Sequence, residues 1–195
     1  MDEWPARLRA ALARETGPSS DFDLNRQAAP QAAKLRGAGV LVPVCARTGT
    51  LILTKRSAML SQHPGQIAFP GGKIDPGDRD ATAAALREAH EEIGLPPDAV
   101  EVLGELPGHE TVTGFSMTPV LGLVTRHFDE VAEAGEVAEI FRVPMEFVTD
   151  RARFRVEERD WRGQARRYYV VPYGPYYIWG ATARILHGLA ERLST

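Results

Sequence analysis

The residues in this chain best suited to chemistry are three glutamates, Glu88, Glu91 and Glu92, in the run Arg87-Glu88-Ala89-His90-Glu91-Glu92-Ile93-Gly94-Leu95. On a helix they share one arc about 100° wide. Thr82, Leu86, Ala89 and Ile93 form a separate apolar arc that can pack on a sheet. Three carboxylates this close repel one another, and Arg87, four residues before Glu91, offsets part of that repulsion. A divalent cation offsets more. Hard ions such as Mg²⁺ prefer oxygen ligands and commonly bind a few carboxylates together with substrate phosphates. Just upstream, Phe69-Pro70-Gly71-Gly72 lets the backbone approach a ligand closely, because glycine has no side chain in the way. Metals held between such a loop and the helix would bridge phosphate oxygens, neutralise charge and activate water. An acidic helix face alone is usually just solvated. The fixed spacing of the Gly-Gly loop, Arg87, Gly94 and Leu95 around this one points to chemistry instead.

These residues need elements to position them. Asp80 is a good N-cap and Gly94 a good C-terminal stop, so the spacing predicts a helix over 80–94. A buried strand is expected at 39–44, then a turn at 47–50 and a second strand at 51–54, a hairpin signature. Residues 57–80 hold Pro64, Gly65, Pro70, Gly71, Gly72, Pro76 and Gly77 and read as a long ordered loop, a kind that is usually functional. Further strands are expected at 100–106 and 117–125, then a loop at about 127–137. A strand end follows at 141–144, with a helical turn at 145–149. A hairpin is expected over 153–172, turning at Trp161-Arg162-Gly163. A last amphipathic helix over 178–193 would carry Ile178, Ala181, Ile185, Leu189 and Leu193 on one face. A short helix is expected at 4–14, with an irregular lead-in at 16–36. The division is thus a helix and lead-in over 1–36 and one domain over 37–195. Strands and helices mix without a βαβ rhythm, which points to α+β or a mixed-sheet sandwich.

Composition narrows the classes. The chain has 195 residues, 44% hydrophobic and 25% charged, with a formal net charge of −3. That fits one globular domain and argues against a general nucleic-acid binder. The single cysteine, Cys45, excludes an internal disulfide, suits a reducing cytoplasmic setting, and reads as a small buried hydrophobe. No run approaches the ~20 apolar residues of a membrane span, and the N-terminus lacks the features of a signal peptide.

The segment from Gly72 to Leu95 resembles the Nudix box: a glycine, five residues, a glutamate, seven residues, then Arg-Glu-apolar-any-Glu-Glu-any-Gly-apolar. Two departures stand out. The position after the five residues that follow Gly72 is Asp78 rather than glutamate, and eight residues separate Asp78 from Arg87. A longer segment, Leu53 to Asp75 with its Arg56-Ser57, His63-Pro64-Gly65 and Phe69-Pro70-Gly71-Gly72, resembles the coenzyme A pyrophosphatases, which share the one-residue expansion. So do Thr113-Gly114-Phe115, Thr118-Pro119-Val120, Glu136-Val137 and Tyr177 to Ala183. The likeness covers residues 38–190.

The resemblance implies an α/β/α sandwich of the Nudix kind, with a mixed, curved sheet between the box helix and the C-terminal helix. It implies Mg²⁺ or Mn²⁺ held by Glu88 and Glu92, with Glu91 as a third ligand or water-orienting group and the Gly72 carbonyl as a further ligand. Arg87 would hold Glu91 in place. Candidates for the base are Glu91, Glu136 and Glu139. Lys55, Arg56 and His63 could meet phosphates, and Phe69 and Phe115 could stack a base or line a groove, although core packing suits the two rings equally. Ile178 to Ala183 are read mainly as packing for the last helix. The implied substrate is coenzyme A, a small molecule, cleaved to 3′,5′-ADP and 4′-phosphopantetheine or its acyl form. Another diphosphate such as ADP-ribose or a nucleoside triphosphate, or a catalytically silent binding domain, stays open as an alternative. Neither nucleic acid nor membrane is an expected partner, and a homodimer is compatible with the sequence.

Overall fold

The computed structural model describes residues 3–14, 16–25, 34–161 and 163–194, so Arg162 of the expected hairpin turn and residues 26–33 of the lead-in lie outside the described residues. The elements run α1 (Glu3–Leu12), β1 (Ser19–Ser20), β2 (Arg36–Cys45), β3 (Thr50–Arg56), β4 (Ile67–Ala68), β5 (Gly71–Lys73), α2 (Ala81–Ile93), β6 (Val100–Glu105), β7 (His109–Glu110), β8 (Phe115–Val124), β9 (Val137–Pro144), α3 (Met145–Val148), β10 (Arg155–Trp161), β11 (Gln164–Val170) and α4 (Gly180–Leu193). The main sheet is mixed. Strands β2 and β8 run parallel over ten residue pairs, and β6, β7, β3, β5 and β9 add antiparallel partners.

Strands β2 and β3 pair only beside their connecting turn, at Val44–Leu51 and Cys45–Thr50, and then splay apart. The segment 67–73 fills the gap. Its first part pairs with β3 through Thr54–Ala68 and Lys55–Ile67, and its second pairs with β2 through Gly39–Gly72 and Val40–Gly71. What composition marks as loop is therefore two short strands wedged into the sheet, and the Gly-Gly segment is held from both sides. Strand β9 likewise begins at Val137, earlier than the expected 141–144, because its first residues pair with the end of β3.

Period-two alternation sends side chains to two cores. Val40, Val42, Val44, Leu51, Leu53, Leu121, Leu123, Phe141 and Val143 face α1 and α4. Leu41, Cys45, Ile52, Val120 and Val124 face α2. Cys45 is buried, as a small hydrophobe should be. The result is three layers, with α2 on one face and α1 and α4 on the other. Helix α1 joins the larger core through Trp4, Leu8 and Ala11, and Trp4 Nε1 donates to Glu146 at 3.0 Å. The face α4 buries is Thr182, Ala183, Ile185, Leu186, Leu189 and Ala190, rotated from the expected stripe. Its Arg192 is also buried, where it donates to the carbonyl of Ala11.

Helix α2 is seated by small residues. Asp80 caps it, its carboxylate accepting from Ala83 N–H at 2.8 Å, and Gly94 ends it at φ 72°. The buried residues are Ala84, Ala85, Ala89, Glu92 and Ile93, so Glu92 belongs to the covered side of the helix, while Thr82 of the expected apolar arc turns to Glu105. Opposite them, a methyl group at Gly39 would overlap the Ala81 carbonyl oxygen and stand 2.9 Å from its carbon. That carbonyl is backbone and cannot swing aside, so Gly39→Ala must push the helix off the sheet. Overpacking of this kind costs about 1–3 kcal/mol or more, and the expected outcome is a loss of at least that size in denaturant unfolding.

Candidate functional site

The helix brings Glu88, Glu91 and Glu92 to the glycine segment, each in a different setting. Glu92 is 5% exposed, and its Oε2 accepts from the Gly71 N–H at 3.1 Å. Burial pushes its carboxyl up to about 8 despite that amide, and the charges of Glu88 and Glu136 add to the rise. Glu88 lies against Gly72, where a methyl group would come within 2.5 Å of its carboxyl carbon. Burial raises Glu88 too, with Arg87 opposing and Glu91 and Glu136 adding. Glu91 is the most open of the three, its side chain 56% exposed.

Arg87 organises this face. Its Nε and one terminal nitrogen grip Asp78 at 3.0 and 2.8 Å, and its other nitrogen donates to Glu88 and Glu91, both at 3.0 Å. A further bond reaches the Lys73 carbonyl at 3.2 Å. Asp78 therefore has a clear position despite its altered spacing: the fork-to-fork pair fastens the loop to the helix, and the Arg87 guanidinium holds the Asp78 carboxyl down at about 2. With five acceptors around it, Arg87 positions other groups and is placed as a scaffold rather than a catalytic group.

The two later glutamates separate. The loop before β9 is tied to the end of α2 by Glu133 N–H to Glu92 O at 3.0 Å and Val131 N–H to Ile93 O at 3.2 Å, and Ser57 N–H donates to Glu136 O at 2.8 Å. These bonds set Glu136 where its charge reaches Glu88 and Glu92. Glu139, two residues into β9's alternation from Phe141, shares the face turned away from α2, and Tyr176 Oη donates to it. Glu139 is thus misplaced for a base beside the α2 carboxylates.

The substrate-binding candidates also divide. Arg56 sends its field to both Glu92 and His63. Lys55 and His63 line a groove of about 480 Å³ with Arg159, Tyr176, Tyr177 and Trp179. Phe69 is a correction: at 4% exposure it is packed in the larger core and presents nothing to a ligand. Phe115 begins β8, stacked under the Arg36 guanidinium 4.1 Å away, and does not line the groove. Trp179, read from sequence as packing, instead walls the groove, while its neighbour Ile178 is core. Arg159 was invisible in the same way. The one sequence signal for it is the run of arginines and tyrosines along the 155–170 hairpin.

The fit of this face to a cation rests on its charge and donor chemistry. Of Glu88, Glu91, Glu92 and Glu136, the first two share one arginine, itself already committed to Asp78, and the other two have no arginine at ion-pairing distance among the described residues. Glu92 sits buried where ionisation is disfavoured until a cation arrives. All the donors are hard oxygens, the set that suits Mg²⁺ or Mn²⁺. As the side chains stand, no three His, Cys, Asp or Glu groups among the described residues converge to ligate an ion. Arg87 takes up Glu88 and Glu91, so an ion would compete with it for both.

No helix among the described residues is long and apolar enough to cross a membrane. Residues 35–172 match the NUDIX domain. The chain is 44% identical over 160 residues to the "Uncharacterized Nudix hydrolase NudL" of Citrobacter koseri, covering 81% of this chain and 83% of that one. A Klebsiella pneumoniae protein of the same name is 42% identical over 176 residues, covering 89% and 92%. A MutT/nudix family protein from Enterococcus faecalis shares the fold at a TM-score of 0.50 and 16% identity, covering 87% of this chain and 66% of that one. With its carboxylate helix, its arginine clasp and these relatives, the chain belongs to the Nudix family of hydrolases, enzymes that act on diphosphate bonds.

Proposed function

We propose that this chain hydrolyses the diphosphate bond of coenzyme A and its derivatives, releasing 3′,5′-ADP and 4′-phosphopantetheine or its acyl form. The observation that carries the reading is the placement of the segment resembling coenzyme A pyrophosphatases. Its Lys55 and His63 line a groove, its Gly72 abuts Glu88, and Arg56 between them acts on both Glu92 and His63. One segment thereby joins a cationic groove to the carboxylate face.

Nudix hydrolases generally use divalent cations. Here Glu88, Glu92 and Glu91, with the Gly72 carbonyl, would hold Mg²⁺ or Mn²⁺. Such an ion neutralises charge on the diphosphate oxygens and makes a bound water more acidic. Glu136 takes the proton from the attacking water, since it faces Glu88 and Glu92 without an arginine partner among the described residues, whereas Glu91 is held by Arg87. Water oxygen bonds to one phosphorus, the bond from that phosphorus to the bridging oxygen breaks, and the bridging oxygen leaves with the other phosphate. Asp78 and Arg87 keep the glycine segment and the carboxylates in register.

The test is a panel of coenzyme A, ADP-ribose and a nucleoside triphosphate with Mg²⁺ or Mn²⁺, products separated by chromatography. Formation of 3′,5′-ADP from coenzyme A at the highest kcat/KM of the three is expected. Preference for either other compound would overturn the substrate and leave the family chemistry standing.

A further inference from the structure

The groove bounded by Lys55 and His63 has a second wall that neither the resemblance nor the carboxylate chemistry assigns. It comes from the β10–β11 hairpin and the segment leading into α4, and it contributes Arg159, Tyr177 and Trp179. Arg159 lies over the Trp179 ring at 4.3 Å and near the Tyr168 ring at 5.7 Å. Rings hold the guanidinium plane in place without neutralising it.

The charge balance in the groove is unusual. Three groups of one sign converge: Lys55, Arg159 and, when protonated, His63. Among the described residues, neither Lys55 nor Arg159 has a carboxylate at ion-pairing distance. Two acids on the neighbouring strands are otherwise occupied. Glu139, opposite Lys55 in the strand register, accepts from the Tyr176 hydroxyl, and Glu157, two residues before Arg159, accepts from the Tyr177 hydroxyl at 2.6 Å. His63 is held at φ 54°, a conformation uncommon outside glycine. The fields of Arg56 and Arg159 both act on it against ionisation, as does its burial, the largest of the effects, while Asp21 opposes them. A site with this surplus of positive charge, walled by aromatic rings, suits a doubly charged phosphate monoester beside a planar base.

We propose that this groove receives the nucleoside end of the substrate and that Arg159 determines specificity by binding a phosphate monoester on the ribose, with Lys55 and His63 assisting. This rests on the reading of coenzyme A as substrate, because coenzyme A carries such a phosphate and its dephospho form does not. The diphosphate then extends past Arg56 to the α2 carboxylates, and the remainder of the molecule leaves the groove on the far side of the scissile bond.

The experiment compares kcat/KM for coenzyme A and dephospho-coenzyme A in wild type, Arg159→Ala and Arg159→Lys, with thermal unfolding as a check on folding. Wild type should favour coenzyme A. Arg159→Ala should lower kcat/KM for coenzyme A about 10- to 100-fold more than for dephospho-coenzyme A, the difference expected for a hydrogen bond between charged groups. Arg159→Lys should restore part of the preference. Equal losses on both compounds, or no preference in wild type, would overturn the proposal. If neither compound is cleaved, the substrate reading has failed and binding alone judges the groove. Calorimetry with adenosine 3′,5′-bisphosphate and adenosine 5′-monophosphate then applies: tighter binding of the bisphosphate that disappears in Arg159→Ala upholds the site, and equal binding overturns it.

Discussion

Glu92→Gln should abolish hydrolysis and at the same time stabilise the metal-free protein at alkaline pH. The two effects have one cause. Glu92 is buried beside Glu88 and within reach of Glu136, with one amide, that of Gly71, donating to it. Its negative charge is therefore costly unless a cation shares the face. Removing the charge removes a proposed metal ligand, and a loss of more than about 100-fold in kcat/KM is expected, beyond what the loss of a supporting partner alone brings. For stability, the folded value near 8 stands above the ordinary 4.5. Below 4.5 both folded and unfolded chains hold the proton, and the group has no effect. Between 4.5 and 8 the unfolded chain has released a proton that the folded chain keeps, so stability falls as pH rises. Above 8 the whole penalty is present, on the order of 5 kcal/mol at about 1.4 kcal/mol for each unit. Glutamine escapes it. In chelated samples the variant should match wild type near pH 4 and exceed it in denaturant midpoint at pH 8.5. Added Mn²⁺ should stabilise wild type and leave the variant where it was. A variant with no advantage at pH 8.5 would mean that Glu92 carries no such penalty.

Gly72→Ala should behave in the opposite way, keeping the fold and losing the reaction. A methyl group there would come within 2.5 Å of the Glu88 carboxyl carbon, but that neighbour is the end of a flexible side chain. Glu88 can turn away at modest cost. In doing so it gives up its bond to Arg87 and its place beside Glu92. The expected drop in kcat/KM is about 10–100-fold, with a smaller loss of stability than Gly39→Ala, where the obstacle is backbone. Steady-state rates and denaturant melts of the two variants together separate close approach that serves the site from close approach that serves the fold. Equal activity in Gly72→Ala and wild type would show that Glu88 does not need its present position.

The helix that carries the site is legible from sequence because its determinants are local. Asp80 and Gly94 cap it with their own atoms, and the three glutamates share an arc by helical geometry alone. The burial of Glu92 is not legible in the same way. It follows from how closely small residues let α2 approach β2, and Gly39 makes that approach from a distant part of the chain. The strands at 67–68 and 71–73 are hidden for a similar reason. Their residues are loop-like in type, and they become strands only because β2 and β3 splay and leave edges to fill. Asp78 looks like a displaced acid in the sequence, and the fold resolves it as the second half of an arginine clasp. Phe69 and Phe115 show the reverse, since aromatic type suggests a ligand where the fold has a core residue and a strand end. The groove wall is the least legible part, because Arg159 and Trp179 meet Lys55 and His63 only through the tertiary arrangement of the hairpin.

The most direct measurement is a titration of the chelated protein with Mn²⁺, followed by electron paramagnetic resonance of the free ion, for wild type, Glu88→Gln and Glu92→Gln. The expected result is saturable binding to wild type that is lost or greatly weakened in both variants while their folds persist. Binding of equal strength in all three proteins, or none in wild type, would contradict the assignment of the α2 carboxylates as the metal-holding, bond-cleaving centre.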